Sequence, residues 1–191
     1  ERVSGLFDSG RARALLGNHD DFMRQALGYR SGPHMSMWMA IGGRETLDSY
    51  RAFEGVRETA VGRVDAVESG DEPETRIEVI ELGVPPRHQR FLSTLPITFE
   101  TRRFIFVHGA VDPATPVSAQ SAEVALWQKA HDARPHGSGK TVICGHTRQQ
   151  SGDPLDLGHT VCSDTNAKGG GWVTCLELFD TGTPTQLLRP W

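Results

Sequence analysis

An α/β fold is predicted by three features of the chain. Three apolar runs each end on a turn of glycine and a polar side chain, helical periodicity fills the stretch between the first and second of them, and the last third is rich in strands. The three turns are Ala14-Leu15-Leu16 into Gly17-Asn18-His19-Asp20, Phe104-Ile105-Phe106-Val107 into His108-Gly109, and Thr141-Val142-Ile143-Cys144 into Gly145-His146-Thr147. A strand feeding such a turn sets polar side chains at the carboxyl end of a sheet, where open α/β folds keep their ligand crevices.

Bulk composition narrows the function classes. The 191 residues are 37% hydrophobic and 23% charged, an ordinary globular balance, and no apolar run approaches the ~20 residues that cross a bilayer. Twenty Lys and Arg stand against 24 Asp and Glu for a net charge of -4. With the basic residues scattered, the electrostatic footprint of a nucleic-acid binder is missing. Three cysteines, Cys144, Cys162 and Cys175, are too few for a disulfide framework and read as reduced core residues. A cytoplasmic protein is expected. The opening Glu1-Arg2-Val3-Ser4-Gly5-Leu6-Phe7 has neither an initiator Met nor a leader pattern, which predicts a chain that starts inside a longer one.

In chain order, residues 3–16 read as a helix tail or loop followed by a short strand, Arg13 to Leu16. Apolar residues three or four apart then predict helices over Asp21–Leu27, Met35–Ala40, Arg44–Phe53 and Pro86–Leu95, together a helical cap over about 21–95 within one domain spanning 1–191. The acidic, turn-rich segment Glu68 to Glu74 is the expected mobile loop. Met35, Met37, Trp38 and Met39 read as core first and as a pocket lining second. After Pro96 the period changes to two, predicting strands over Ile97–Glu100 and Phe104–Val107 joined by Thr101-Arg102-Arg103. A helix is predicted over Ser118–Ala130, then strands over Thr141–Cys144, Thr160–Ser163 and Trp172–Phe179, the last returning through Asp180-Thr181-Gly182 as Thr185–Leu188. His136-Gly137-Ser138-Gly139-Lys140-Thr141 imitates a phosphate-binding loop, yet Arg134 takes the place of its first glycine and a strand follows where a helix should.

Asn18, His108 and His146 thus arrive on one predicted rim. An amide oxygen and two imidazoles are mixed donors suited to Mn²⁺, Fe²⁺ or Zn²⁺. His34, His88, His131, His136 and His159 lack that strand-end setting and read as surface or hydrogen-bonding residues.

Gly17-Asn18-His19-Asp20, Phe106-Val107-His108-Gly109 and Gly145-His146-Thr147, in this order, resemble the motifs of the calcineurin-like metallophosphoesterases, in their bacterial phosphoprotein (Ser/Thr) phosphatase branch. Gly42-Gly43-Arg44-Glu45-Thr46-Leu47, Pro85-Pro86-Arg87-His88 and Ala125-Leu126-Trp127 are similar to the spacers between them, so the likeness spans most of the chain. The resemblance implies a β-sandwich flanked by helices and two divalent ions, Mn²⁺ first and Fe or Zn next, about 3.5 to 4 Å apart at the sheet edge. It further implies that Asn18, His108 and His146 hold the second ion, and that His19 is the general acid for in-line attack on a phosphoester. The resemblance also implies that Lys129, in the place of a phosphate-binding Arg, contacts the substrate, a phosphoprotein or nucleotide. A diadenosine tetraphosphatase-like hydrolase and a non-catalytic binding protein on the same scaffold are the alternatives.

The chain also departs from the pattern. The family's Gly-Asp-x-His and Gly-Asp-x-x-Asp-Arg-Gly motifs, which hold the first ion, do not occur before Asn18, so at most one ion site is encoded here. Leu16 replaces a common Arg, Gly109-Ala110 inverts the usual Ala-Gly, and Asp164-Thr165-Asn166 stands for Asp-Thr-Gly. The resemblance therefore implies an N-terminally truncated enzyme, inactive or nearly so by itself.

Overall fold

The period-two stretch after Pro96 folds into strand β1 (Thr98–Glu100) and, after a reversal, strand β2 (Phe104–Val107), paired antiparallel with Phe99 opposite Phe106. The reversal closes where Thr101 N–H donates to Phe104 O at 2.9 Å and Phe104 N–H donates to Thr101 Oγ1 at 3.1 Å. The structure is a computed structural model that describes residues 2–28, 35–54, 83–179 and 186–188.

Strand β3 (Thr141–Cys144) lies parallel to β2, and β5 (Thr160–Cys162) lies parallel to β3. The short β4 (Leu155–Asp156), which no apolar run announces, pairs antiparallel with β5 and completes a mixed sheet in the order β1-β2-β3-β5-β4. All of β5 and three of the four positions of β2 are buried, as inner parallel strands covered on both faces should be. Ile105, Val107, Ala125, Val142, Cys144 and Cys162 form the centre of the core. Burying each of the large aliphatic side chains among them contributes roughly 1.5–3 kcal/mol.

A second sheet pairs β6 (Cys175–Glu177) antiparallel with β7 (Gln186–Leu188). The strand expected over 172–179 is shorter than its apolar content suggests, because Trp172 forms an isolated bridge to Asn166 and its carbonyl is taken by the Thr165 hydroxyl. The turn Asp180-Thr181-Gly182 lies outside the described residues. All three cysteines are free thiols, but only Cys144 and Cys162 are buried; Cys175 is exposed, contrary to the core role expected of it. Strand alternation explains this: Cys175 and Glu177 share the outer face of β6 while Leu176 is half-buried.

The chain divides into two compact units, Glu1–Asn18 with Leu95–Trp191, and His19–Thr94. In the first, helix α1 (Arg2–Asp8) replaces the helix tail expected near the start. The strand expected over Arg13–Leu16 does not form: residues 12–17 have no regular structure, and among the described residues the buried Leu16 makes one backbone bond, N–H to Pro96 O at 2.9 Å. A single bond cannot start a ladder.

The described elements of the second unit are helical: α2 (Asn18–Ala26, whose first residue closes the preceding unit), α3 (Met35–Trp38) with a π turn over Met39–Gly43, α4 (Arg44–Glu54) and α5 (Pro86–Thr94). Gly42, at φ 128°, separates the two helices predicted on either side of it. Trp38 is core at 2% exposure, whereas Met37 is 52% exposed, so the Met/Trp stretch is not one buried stripe. The acidic segment 68–74 lies outside the described residues. No helix among the described residues is long and apolar enough to cross a membrane.

Candidate functional site

Parallel pairing of β2 and β3 sets their carboxyl ends side by side, so the residues that follow them, His108 and His146, become neighbours. Gly145 N–H donates to His108 O at 2.9 Å, and the two imidazole rings lie 4.9 Å apart, tilted by 55°. The buried Asn18 accepts from His108 Nε2 through Oδ1 at 2.9 Å. Asn18, His108 and His146 are therefore brought together within one unit from three distant parts of the sequence.

Helix α6 (Ala122–Trp127) explains how the two histidine turns are held. It starts where Ser121 Oγ accepts from Val124 N–H at 3.2 Å, an ordinary N-cap. The sequence predicts that it runs to Ala130; it stops at Trp127, with Lys129 extended at φ -81° and ψ 150°. Its last carbonyls are used by the site instead. Ala125 O accepts from Gly109 N–H at 2.7 Å and Trp127 O accepts from His146 Nε2 at 3.1 Å, while Ala130 N–H donates to Thr147 Oγ1 at 2.8 Å rather than to a helix carbonyl. These tertiary bonds replace the next turn of the helix. Gly109 is required at this junction because a Cβ there would stand 2.9 Å from Gln128 O and 3.1 Å from Ala125 O.

His146 adopts φ 61°, a left-handed conformation uncommon outside glycine. Such strain costs on the order of 1–3 kcal/mol and persists only where surrounding contacts fix it. Here they are the Trp127 carbonyl on its Nε2 and Lys129 Nζ on its own carbonyl at 2.9 Å. Lys129 thus clamps the His146 turn through its ammonium and also lines an open cleft of about 360 Å³ beside it. His19, the first residue of the other unit, is exposed in the first turn of α2.

The donor set can be judged against a divalent ion. Asn18 Oδ1 and His108 Nε2 are separated by 2.9 Å, close to the roughly 3 Å edge of an octahedron whose metal–ligand bonds are about 2.1 Å. With Nε2–H donating to Trp127 O, His146 carries its lone pair on Nδ1. The Asn18 and His108 atoms are spaced as two ligands of one ion would be, but every donor is neutral, and an ion there would compete with the Asn18–His108 hydrogen bond. Among the described residues no group of three or more His, Cys, Asp and Glu side chains is placed to hold a metal.

The remaining histidines follow their predicted role where described. His136 is buried and bonds Thr115 O at 3.0 Å and Ser138 Oγ at 2.8 Å, which consumes the loop that imitates a phosphate binder. His88 Nδ1 meets Tyr50 Oη at 3.1 Å, and His159 Nδ1 meets Thr160 Oγ1 at 3.0 Å. His34 lies outside the described residues. The part of the site with no sequence signal is the Trp127 carbonyl, a backbone group that periodicity cannot single out.

No family model and no curated protein matches the sequence. The fold is similar to that of a solved structure reported as the "Crystal structure of a putative diadenosine tetraphosphatase", with a TM-score of 0.54 and 16% identity over 99% of this chain and 72% of that chain. The chain accordingly has a mixed α/β fold, a five-stranded sheet with helices, similar to the fold of that structure.

Proposed function

We propose that the chain is a metal-dependent phosphoester hydrolase in which Asn18, His108 and His146 are the donors to one divalent ion and His19 is the general acid. The observation that supports it is the convergence of those three side chains, led by the 2.9 Å approach of Asn18 Oδ1 to His108 Nε2, at the carboxyl ends of adjacent parallel strands. A divalent ion held there, Mn²⁺ first and Fe or Zn next, supplies Lewis-acid polarisation of a phosphoryl oxygen. Lys129 holds the His146 turn and adds a positive charge beside it. His19 protonates the leaving oxygen, a task that suits an imidazole, which ordinarily titrates near neutrality, and that contributes typically 10²–10⁴-fold. Because no donor is anionic, the ion is held weakly and turnover by this chain is low.

Phosphoproteins are the first substrate class, on the motifs around His19, His108 and His146. A dinucleoside polyphosphate is the second, favoured by the description of the solved structure with the similar fold. An aryl phosphate, a phosphopeptide and diadenosine tetraphosphate, each assayed with Mn²⁺, separate these readings. Slow Mn²⁺-dependent release is expected, reduced about 100-fold or more in His19→Asn, in keeping with a lost general acid, and abolished in His108→Asn. Release unchanged by EDTA and by His108→Asn overturns the proposal; a faster rate on the dinucleotide than on the phosphopeptide selects the second class.

A further inference from the structure

We propose that the cleft beside His146 is an oligophosphate subsite, in which Arg148, His131 and Lys129 hold a second phosphate group of a diphosphate or longer chain. Its role toward a substrate rests on the hydrolase reading above; its affinity for the anion does not. The cleft has a volume of about 360 Å³ and is lined by Lys129, His131, Thr147, Arg148, Gln150 and Asn166, together with Gly169. Two fixed cations and one titratable imidazole face it, and no carboxylate does. That balance is unusual for a chain with a net charge of -4, and it suits an anion.

An exposed arginine is normally a solvated surface group, so its setting decides the matter. Arg148 makes no hydrogen bond or ion pair among the described residues, yet its backbone is anchored on both sides. Thr147, 2% exposed, is tied through Oγ1 to Ala130 N–H, and Gln149 N–H donates to Asp164 O at 2.8 Å. The guanidinium therefore starts from a fixed point next to the His146 turn, and its planar fork matches two phosphate oxygens at once.

Asn166, another lining residue, is equally fixed. Asn166 is held in a left-handed conformation at φ 62°, its N–H on Asp164 Oδ1 at 3.0 Å and its carbonyl accepting from Gly169 and Gly171 N–H, both at 2.9 Å. All of these bonds use its backbone. Its side-chain amide makes none among the described residues and lines the cleft, as do His131 and Gln150. Lys129 is shared by the cleft and the His146 turn, so an anion held in the cleft lies next to that turn.

The test uses the full chain in EDTA, with inorganic tripolyphosphate and orthophosphate as probes and isothermal titration calorimetry as the readout. Tripolyphosphate is expected to bind at least tenfold more tightly than orthophosphate. Arg148→Ala should weaken it about tenfold, Arg148→Lys should restore part of the loss, and Arg11→Ala, an exposed arginine outside the cleft, should change it by less than twofold. Equal affinity for the two anions, no loss in Arg148→Ala, or an equal loss in Arg11→Ala overturns the proposal. No turnover is measured, so failure of the hydrolase reading leaves these outcomes intact. Conversely, a chain that hydrolyses aryl phosphate but binds tripolyphosphate no better than orthophosphate overturns the subsite alone.

Discussion

His108 Nε2 donates to Asn18 Oδ1 across 2.9 Å although 90 positions separate the two residues. The bond joins a neutral amide to a neutral imidazole at the point where an ion is proposed. Adding one negative charge without changing the side-chain shape should therefore strengthen ion binding, since ligand charge tunes divalent affinity. Asn18→Asp is expected to tighten Mn²⁺ binding about tenfold, or 1.4 kcal/mol, measured by electron paramagnetic resonance at mildly alkaline pH. Unchanged affinity would show that this oxygen does not face the ion.

Gly109 follows His108 directly and passes close under the end of α6. Its N–H donates to Ala125 O at 2.7 Å, and a Cβ would meet Gln128 O at 2.9 Å. Both obstacles are backbone, so the strain cannot be relieved by turning a side chain. Gly109→Ala should destabilise the protein by about 1–3 kcal/mol and lower its Mn²⁺ affinity by displacing His108. Urea unfolding checks the first effect; a midpoint equal to that of the unmodified chain refutes the close approach.

The exposed Cys175 and the buried Cys144 and Cys162 should be distinguished by a thiol reagent. One equivalent is expected to react with the native chain under mild conditions and two more only on unfolding, because access limits thiol reactivity. Three equivalents reacting at one rate in the native state would contradict the packing of β3 against β5.

The inner strands are legible in the sequence because burial on both faces demands continuous apolar runs, as in Phe104–Val107 and Thr141–Cys144. The turns that follow are legible because only certain side chains and glycines suit the carboxyl end of a strand. What escapes the sequence is decided by bonds between distant segments. The C-terminus of α6 is cut short by Gly109, His146 and Thr147, which compete for its carbonyls and its next N–H. Arg13–Leu16 has the composition of a strand but, among the described residues, only Pro96 O to pair with. Arg148 and Asn166 belong to loops, where no periodic pattern records which neighbours the chain will meet.

Asp112 gives a pH-dependent prediction. Its carboxylate accepts from Ala114 N–H at 3.0 Å and Thr115 Oγ1 at 2.7 Å, and these bonds hold its pKa below the ordinary 3.8. A pKa lowered by folding means stability that is present above 3.8 and lost as the pH falls through the lower folded value. Asp112→Asn should therefore melt below the unmodified chain near neutral pH, with the gap closing in strongly acidic solution. A gap that persists undiminished below both values would show that the carboxylate's charge is not involved.

Thr165 is 1% exposed, and its hydroxyl donates to Trp172 O at 2.6 Å while sharing a bond with Thr174 Oγ1 at 2.7 Å. It closes the loop that carries Asn166 to the cleft. Thr165→Val keeps the volume but removes the donor, and an abandoned buried carbonyl costs about 1–3 kcal/mol. Trp172 is 38% exposed and Thr174 half-buried, so water can reach part of the lost pairing, which places the expected loss near the lower end of that range. Thr165→Ser keeps the hydroxyl and gives up one methyl, so it should recover more than half of the loss seen with Val if the hydrogen bonds dominate. Ser less stable than Val in urea unfolding would instead assign the role of Thr165 to packing of its methyl, and the loop would then owe its shape to Asn166 and the N–H groups of Gly169 and Gly171.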